Sequence, residues 1–557
     1  MKSLIIRQYT IYMGILLCFV SIVGCKDYLD REPLDAIPNE TYWKNTEQLE
    51  MAMTAIFSRV KAKNTVDMEN MGENTMWPST HQYKDIGSGV FPVTQPTVND
   101  EWRNMYRDIR ESNTFLANYQ NAEETTPGAN ELLAAEVRVL RALAYSFVVS
   151  FWGDVPLILK PLELGDEEVY GERTPREEVV DFILADLDTA AAILSSEIPT
   201  GNRLGRINKG AALALKARIA LAEGRYDVAE EAAKAVMDLG VYRLYSNGNP
   251  KTSYWELFTN AGKLANGRNQ ETILARLHLM DIIMHNLSRE IQVPDQSARF
   301  VPTRSLVDSY LCADGLPISK SPMYQDSSYE SIFRNRDPRM TQTILVPGDT
   351  WGGRYDGRPI NENDNPSVFM RPKFSQDGRG CMTTTGYYYK KYVTPSAVGL
   401  VGRDDNDIHL IRYAEVLLTY AEARFEQGKL TQEDLDKTIN LLRDRVGMVH
   451  MDLGFMAANG MDVRTEIRRE RRVELALEGQ RYFDVRRWKE GERLAAPIEG
   501  VKAEWFPELT RGSFRISSEG YLQAQWNRRF EDPKNYLWPV PQPQVDRNPN
   551  LGQNPGW

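Results

Sequence analysis

The chain has 557 residues, with 77 acidic against 67 basic side chains and a formal net charge of −10. That balance argues against holding nucleic acid by counterion release from phosphates. The 42% of hydrophobic residues is enough for a sizeable core, and beyond the N-terminus no apolar run reaches the roughly 20 residues that a bilayer-spanning helix needs.

The N-terminus opens with Lys2 and Arg7, and residues 10–24 form an apolar run ending at Cys25. The run is too short to cross ~30 Å of hydrocarbon as a helix. A basic flank, a short apolar segment and small residues before a cleavage point are the pattern of a secretory signal, so residues 1–24 are expected to be removed. Ser21-Ile-Val-Gly-Cys25 resembles a bacterial lipobox, which implies diacylation of the Cys25 thiol before cleavage. The tag that follows, Cys25-Lys-Asp-Tyr-Leu-Asp30, is similar to those that send some Gram-negative lipoproteins to the outer face of the outer membrane. After processing only the lipid would tether the protein, and several acyl chains hold where a single one is marginal. Cys18 leaves with the signal, so Cys312 and Cys381 stay as ordinary cysteines. A disulfide between them is compatible with export, and their spacing does not demand one.

Apolar spacing predicts a helix over 46–63, through Leu49, Met53, Ile56 and Val60, and another over 99–121, through Trp102, Tyr106, Ile109, Phe115 and Leu116. Residues 129–152 continue the helical pattern and become apolar all round near Ser146–Trp152, which predicts burial. Gly153-Asp-Val-Pro156 ends that segment. Thr174-Pro175-Arg-Glu-Glu178 reads as a helix start: a cap, a first-position proline and acids facing the dipole. In 208–239 a small-residue helix over Ala211–Ala222 turns at Glu223–Tyr226 and returns over Ala229–Met237, with Gly224 permitting the reversal. This unit resembles a tetratricopeptide helix pair. A second pair follows downstream, with Tyr413–Arg424, Gly428, then Leu435–Val446.

Between the pairs, the stretch of about 160 residues from 246 to 405 is rich in Gly, Pro, Asn and Asp and reads as turns and loops. Loops on a rigid scaffold commonly carry binding sites. The tail from 500 is expected to hold short strands and turns, its prolines excluding helix. The chain therefore divides into a signal segment (1–24), a helical region (25–245), a loop-rich insertion (246–405) and a C-terminal helical region with an extended tail (406–557), the last three forming one body. The fold class is mainly α: a tetratricopeptide-like scaffold with a large irregular insertion and short C-terminal strands.

Glu466, Glu470, Glu474 and Glu478 follow one another at i, i+4 in a predicted helix. Aligned carboxylates repel unless cations face them. Arg471, Arg481, Arg486 and Arg487 are the nearest partners, so this basic run is expected to form an internal ion-pair network and not a nucleic-acid surface. The five histidines are scattered; His278 and His285 in a helix would lie ~10 Å apart along its axis, with no Cys or acid to complete a zinc site. Asp404, Asp405 and Asp407 offer oxygens for Ca²⁺ but lack EF-hand spacing, and are read as a solvated loop. No metal or cofactor is expected. Nucleophile-elbow, zincin and phosphate-loop motifs are absent, and no pair of carboxylates is singled out as a glycosidase would require.

Several motifs taken together resemble the SusD/RagB family of outer-membrane nutrient binders. They are the lipobox with Tyr28-Leu-Asp30 and Pro33; Trp102–Ile109 with Asn113; Glu136–Tyr145 followed by Phe151-Trp-Gly-Asp-Val-Pro-Leu157; Arg336-Asp-Pro-Arg339; Arg412–Ala423; Ile467–Trp488; and Trp538-Pro-Val-Pro541 with Gln553-Asn-Pro-Gly556. They recur in order along nearly the whole chain, with ~320–405 bare except for Arg336–Arg339. The resemblance implies a tetratricopeptide-based fold, no catalysis, and a SusC-like TonB-dependent transporter as partner, with glycan as the captured ligand.

A sugar presents an apolar C–H face to aromatic rings and a rim of hydroxyls to Asn, Asp or Arg. Two loop segments have that composition: Asn74, Trp77, His81 and Tyr83, and Trp351, Arg354 and Tyr355. Both lie in regions where the family places its binding aromatics. Trp102, Trp152, Trp488 and Trp538 sit inside family motifs and are expected in the core. Capture of peptides by the same scaffold is one alternative function; a surface glycoside hydrolase is another.

Overall fold

The computed structural model describes residues 42–163, 165–293, 296–350, 368–375 and 381–557. Residues 1–24, Cys25, and Trp351, Arg354 and Tyr355 lie outside the described residues. The architecture is mainly helical. The N-terminal region contains α1 (Thr46–Ser58), α2 (Pro96–Asn118), α3 (Ala129–Trp152), α4 (Arg176–Ile193), α5 (Lys209–Ala222) and α6 (Tyr226–Asp238). Successive long helices pack against one another, and α6 packs in turn against α7 (Tyr413–Glu426). The two predicted helix pairs are therefore spatial neighbours although the insertion separates them in sequence.

Local chemistry accounts for the boundaries. Asn45 caps α1 by accepting from Gln48 N at 3.0 Å, and Asn208 caps α5 by accepting from Ala211 N at 3.0 Å. The start of α4 differs from expectation. Thr174 is tied into a bridge with Val155, Pro175 occupies the cap position, and the Asp154 carboxylate accepts from Arg176 N at 2.9 Å instead. The segment downstream of α7 breaks into Gln432–Asp436 and Ile439–Val446.

The tail is pinned by aromatic packing. Phe151 and Trp538 stack with centroids 4.0 Å apart, Trp102 meets Trp152 edge-on at 5.0 Å, and Trp152 Nε1 donates to Pro539 O at 2.8 Å. Trp488 is only half-buried; it lies among Arg468, Arg481 and Arg487 and donates to Glu422 at 2.7 Å. Contrary to the expected helix-free tail, Gln542–Arg547 is a short helix with Pro543 in its first turn, where the missing N–H leaves no bond unmade.

Among the described residues, six short strands form three antiparallel pairs: β1 (Thr75–Met76) with β3 (Val301–Pro302), β2 (Thr272–Arg276) with β4 (Ile408–Arg412), and β5 (Ile498–Lys502) with β6 (Tyr521–Gln525). The β2–β4 pair closes the insertion at its base, joining Thr272 to Arg412. The insertion is irregular yet has its own core, shared with the C-terminal region, in which Tyr254, Tyr310, Tyr388, Tyr389 and Tyr392 are buried.

The predicted ion-pair network exists, but its pairing differs. Only Glu466, Glu470 and Glu474 lie on α8 (Val463–Glu474); Glu478 follows a turn in which Leu477 adopts φ 63°. Glu466 pairs within the helix with Arg469, whereas the other three draw cations from other segments. Glu474 binds Arg339, Arg412 and Arg445; Glu470 binds Arg339 and Arg443; Glu478 binds Arg412 and Lys391. Three sequence motifs thus meet at one buried cluster. The arginines adjacent in sequence serve other groups: Arg471 binds Asp484, Arg481 binds Glu73, Arg487 binds Glu422, and Arg486 donates to the carbonyls of Ser150 and Tyr536. Arg471→Ala is expected to lower the melting temperature, at a cost of about 1–3 kcal/mol, because Asp484 keeps Arg487 as a second partner. Thermal unfolding by circular dichroism checks this.

Two further expectations are corrected. Asp404, Asp405 and Asp407 are buried, not solvated: Asp404 accepts from Ser288 N at 2.7 Å, Asp405 pairs with Lys263 at 2.6 Å, and Asp407 accepts from Leu264 N and His278 N. Their oxygens are consumed in tying the 404–407 segment to neighbouring loops. His278 and His285 are not on a helix; a tight turn with Leu279 N bonded to Ile283 O brings their rings to 4.8 Å. Among the described residues no group of three or more His, Cys, Asp or Glu is arranged to hold a metal ion. Cys312 and Cys381 are separate buried thiols, with no disulfide between them.

Candidate functional site

Trp77 follows directly on β1, and the pairing of β1 with β3 sets Met76 opposite Val301. This places the 77–81 loop beside Arg299 and Phe300, far away in sequence. The Trp77 indole lies edge-on to Phe300 at 5.2 Å and carries the His81 imidazole stacked on its face, centroids 4.1 Å apart and planes 19° apart. Trp77 is 8% exposed, so His81, half-buried, is the ring that meets solvent.

Polar groups rim this stack. Trp77 Nε1 donates to Ser79 Oγ at 2.9 Å. Arg299 lies 6.0 Å from the indole centroid and donates to Gln296 Oε1 at 2.8 Å and to Ser79 Oγ at 3.4 Å. It has no carboxylate partner among the described residues, so its remaining N–H groups are open to an acceptor. Lys63, 5.8 Å from the indole centroid, pairs with Asp67 at 2.9 Å and Glu290 at 2.7 Å. Lys84 Nζ donates to the carbonyls of Pro78 and Ser79, at 3.1 and 3.2 Å, and fixes the loop from its other side.

His81 Nδ1 accepts from Tyr83 N at 3.3 Å and so caps the short helix Gln82–Ser88. Burial, reinforced by the nearby Lys63 ammonium, pushes the imidazole down to about 4. The ring is therefore neutral near pH 7, which keeps Nδ1 an acceptor. Asp67 is pushed up to about 6 by burial, against the pull of Lys63.

The sequence-predicted residues separate into three groups. Trp77 and His81 form the stack itself. Asn74 and Tyr83 lie behind it with no surface to offer a ligand: Asn74 donates to Glu69 at 3.0 Å and accepts from Arg472 at 2.8 Å, and Tyr83 donates to Glu101 at 2.5 Å. They hold the loop from behind. Trp351, Arg354 and Tyr355 lie outside the described residues. Arg299, Gln296, Lys63 and Glu290 escaped the sequence reading. Polar Gln296 and Arg299 just ahead of Phe300 are a weak signal, and the β1–β3 pair brings them to Trp77.

Comparison with known proteins covers both halves of the chain. A family model described as the SusD family matches residues 286–557, and one described as starch-binding associating with outer membrane matches residues 27–221. A SusD-like protein of Formosa agariphila is 23% identical over 493 residues, covering 84% of this chain and 88% of its own. One from Bacteroides ovatus is 24% identical over 578 residues, covering 96% and 95%. Among solved structures, a SusD-like protein of Bacteroides fragilis superposes with a TM-score of 0.76 at 26% identity, over 95% of this chain and 100% of that one. A second structure from that species, titled a SusD-like carbohydrate binding protein, gives a TM-score of 0.76 at 26% identity over 92% and 100%. With matches along both halves and one shared helical architecture, the chain belongs to the SusD/RagB family.

Proposed function

We propose that the protein is a non-catalytic glycan binder, lipid-anchored through Cys25 at the outer membrane and exposed on the cell surface, that delivers oligo- or polysaccharide to a SusC-like TonB-dependent transporter. The observation that carries this reading is the Trp77–His81 stack with Arg299, Gln296 and Ser79 at its rim. The C–H face of a sugar packs on a neutral ring, and its hydroxyls accept from the guanidinium or donate to the amide oxygen. Trp351, Arg354 and Tyr355 are proposed to add contacts from the insertion. The name of the related Bacteroides fragilis structure and the outer-membrane wording of the matching family model support the ligand class and the location.

The absence of catalysis is supported by how the nearest acids are used. Asp67 and Glu290 share one lysine, whereas glycosidases keep an acid and a separate base or nucleophile across the scissile bond. For the transporter, the turn at Leu279–Ile283 and the neighbouring Leu400 and Val401 offer exposed apolar surface, with Ile282 at 78% and Val401 at 73%, and such patches suit protein contacts.

The test is calorimetry of the mature protein against a panel of polysaccharides, with peptides alongside. At least one glycan is expected to bind, and chromatography is expected to show it unchanged. Because His81 is pushed down to about 4, and Asp67, which is pushed up to about 6, is buried and offers a ligand no surface, the affinity is expected to hold within about twofold from pH 7 to pH 5.5, whereas an ordinary imidazole would gain charge across that interval. Binding confined to peptides, or the appearance of shortened glycan products, would overturn the proposal.

A further inference from the structure

A second concave site lies well apart in sequence from the Trp77 loop, at the junction of α3, α5, the helix Arg481–Arg487 and the C-terminal tail. It is a pocket of about 270 Å³ lined by Arg176, Arg486, Arg487, Lys489, Lys534 and the Tyr536 ring, among other residues, and no acidic side chain is part of its wall. In a chain of net charge −10, the wall of this small cavity presents five cations and no carboxylate, and the acids that pair with three of them lie outside the lining.

The charges are not all offset from behind. Glu223 pairs with Arg176, Glu422 and Asp484 with Arg487, and Glu531 with Lys534. Arg486 is buried, and among the described residues its acceptors are the backbone carbonyls of Ser150 and Tyr536. Lys489 makes no ion pair among the described residues; its ammonium rests 4.1 Å from the centre of the Tyr536 ring. Both cations therefore converge on Tyr536, one at its carbonyl and one at its ring. Burial, and then the repulsion of Arg176 and Arg486, hold Lys489 below its usual range. A bound anion would relieve that repulsion, and guanidinium beside ammonium is the donor set that oxyanions and carboxylates select.

We propose that this pocket is an anion site for a small oxyanion or for the charged group of an acidic sugar: a sulfate, a phosphate or a uronic-acid carboxylate. The site is independent of the Trp77 stack. It would let the protein recognise a charged substituent separately from the sugar face.

The experiment is calorimetry of the mature protein with sodium sulfate, sodium phosphate and sodium galacturonate, each at an ionic strength matched with sodium chloride so that general screening is constant. The parent is compared with the double variant Lys489→Gln/Lys534→Gln, whose two side chains line the pocket without being buried and whose melting temperature is expected to match the parent's. At least one of the three anions is expected to bind the parent above the chloride control, and about tenfold more weakly to the variant, as suits the loss of charge-assisted hydrogen bonds. Sulfate or phosphate alone identifies a free tetrahedral oxyanion; galacturonate identifies the carboxylate of an acidic sugar. No binding above the chloride control, or equal affinity in parent and variant, overturns the proposal.

Discussion

Glu474→Gln is expected to destabilise the fold by about 3–5 kcal/mol, because it removes the shared partner of buried cations. Glu474 is fully buried and binds Arg339 at 3.1 Å, Arg412 at 2.7 Å and Arg445 at 2.7 Å. Burial alone would raise its pKa, but Arg445, Arg412 and Arg339 together outweigh burial and hold the carboxyl far below the usual carboxylate range. Glutamine keeps the shape and one acceptor oxygen but removes the charge, so three guanidiniums crowd together with one fewer anion. Urea unfolding at pH 7 should show a lower midpoint at an unchanged slope. The sign of the pH dependence follows from the lowered folded-state value. The carboxylate's contribution is complete above its unfolded value of 4.5 and is lost as the pH falls toward the folded one. The gap between parent and variant is therefore expected to be widest near neutrality and to close in strong acid. A variant as stable as the parent at pH 7 would show that the cluster does not hold the insertion to the helices.

The second large effect is expected from Trp77→Ala. The indole is nearly buried and supports the His81 ring on one face and Phe300 on its edge. Removing a packed aromatic of this kind costs about 3–5 kcal/mol. It also takes away the floor beneath His81 and the donor that orients Ser79, so glycan affinity is expected to fall at least about tenfold, a loss of some 1.4 kcal/mol. Trp77→Phe separates the two consequences: it keeps most of the apolar contact and loses the Nε1 hydrogen bond, so its stability should fall less while Ser79 and Arg299 lose their alignment. Dissociation constants measured on protein verified as folded, with melting temperatures beside them, are the readout. Undiminished affinity in the alanine variant would move the site away from this loop.

How far the sequence reached depended on the range of the forces involved. The 129–152 helix was legible to the residue, because a largely buried helix is written in its own composition. The helix pair of α5 and α6 was also clear, since the alanines and the Gly224 turn act within a few residues, although α6 already starts at Tyr226, which the sequence assigns to the turn. The start of α4 was missed by one position, because its capping oxygen comes from Asp154, displaced in sequence yet adjacent in space. At the candidate site the two stacked rings were legible as loop aromatics, whereas Arg299 and Gln296 were not, since a two-residue strand pair leaves almost no periodic trace.

The sequence by itself determined the helical class, the long helices and their turns, and the composition that points to the Trp77 loop. Each of these rests on interactions within a turn or two of the backbone. Tertiary structure alone decided which arginine meets which glutamate, why the 404–407 acids are buried, how Arg299 comes to Trp77, and where five cations enclose a cavity. Those outcomes depend on charges and rings drawn from segments tens to hundreds of residues apart, and a buried charge takes its partner from whichever segment the packing brings within reach.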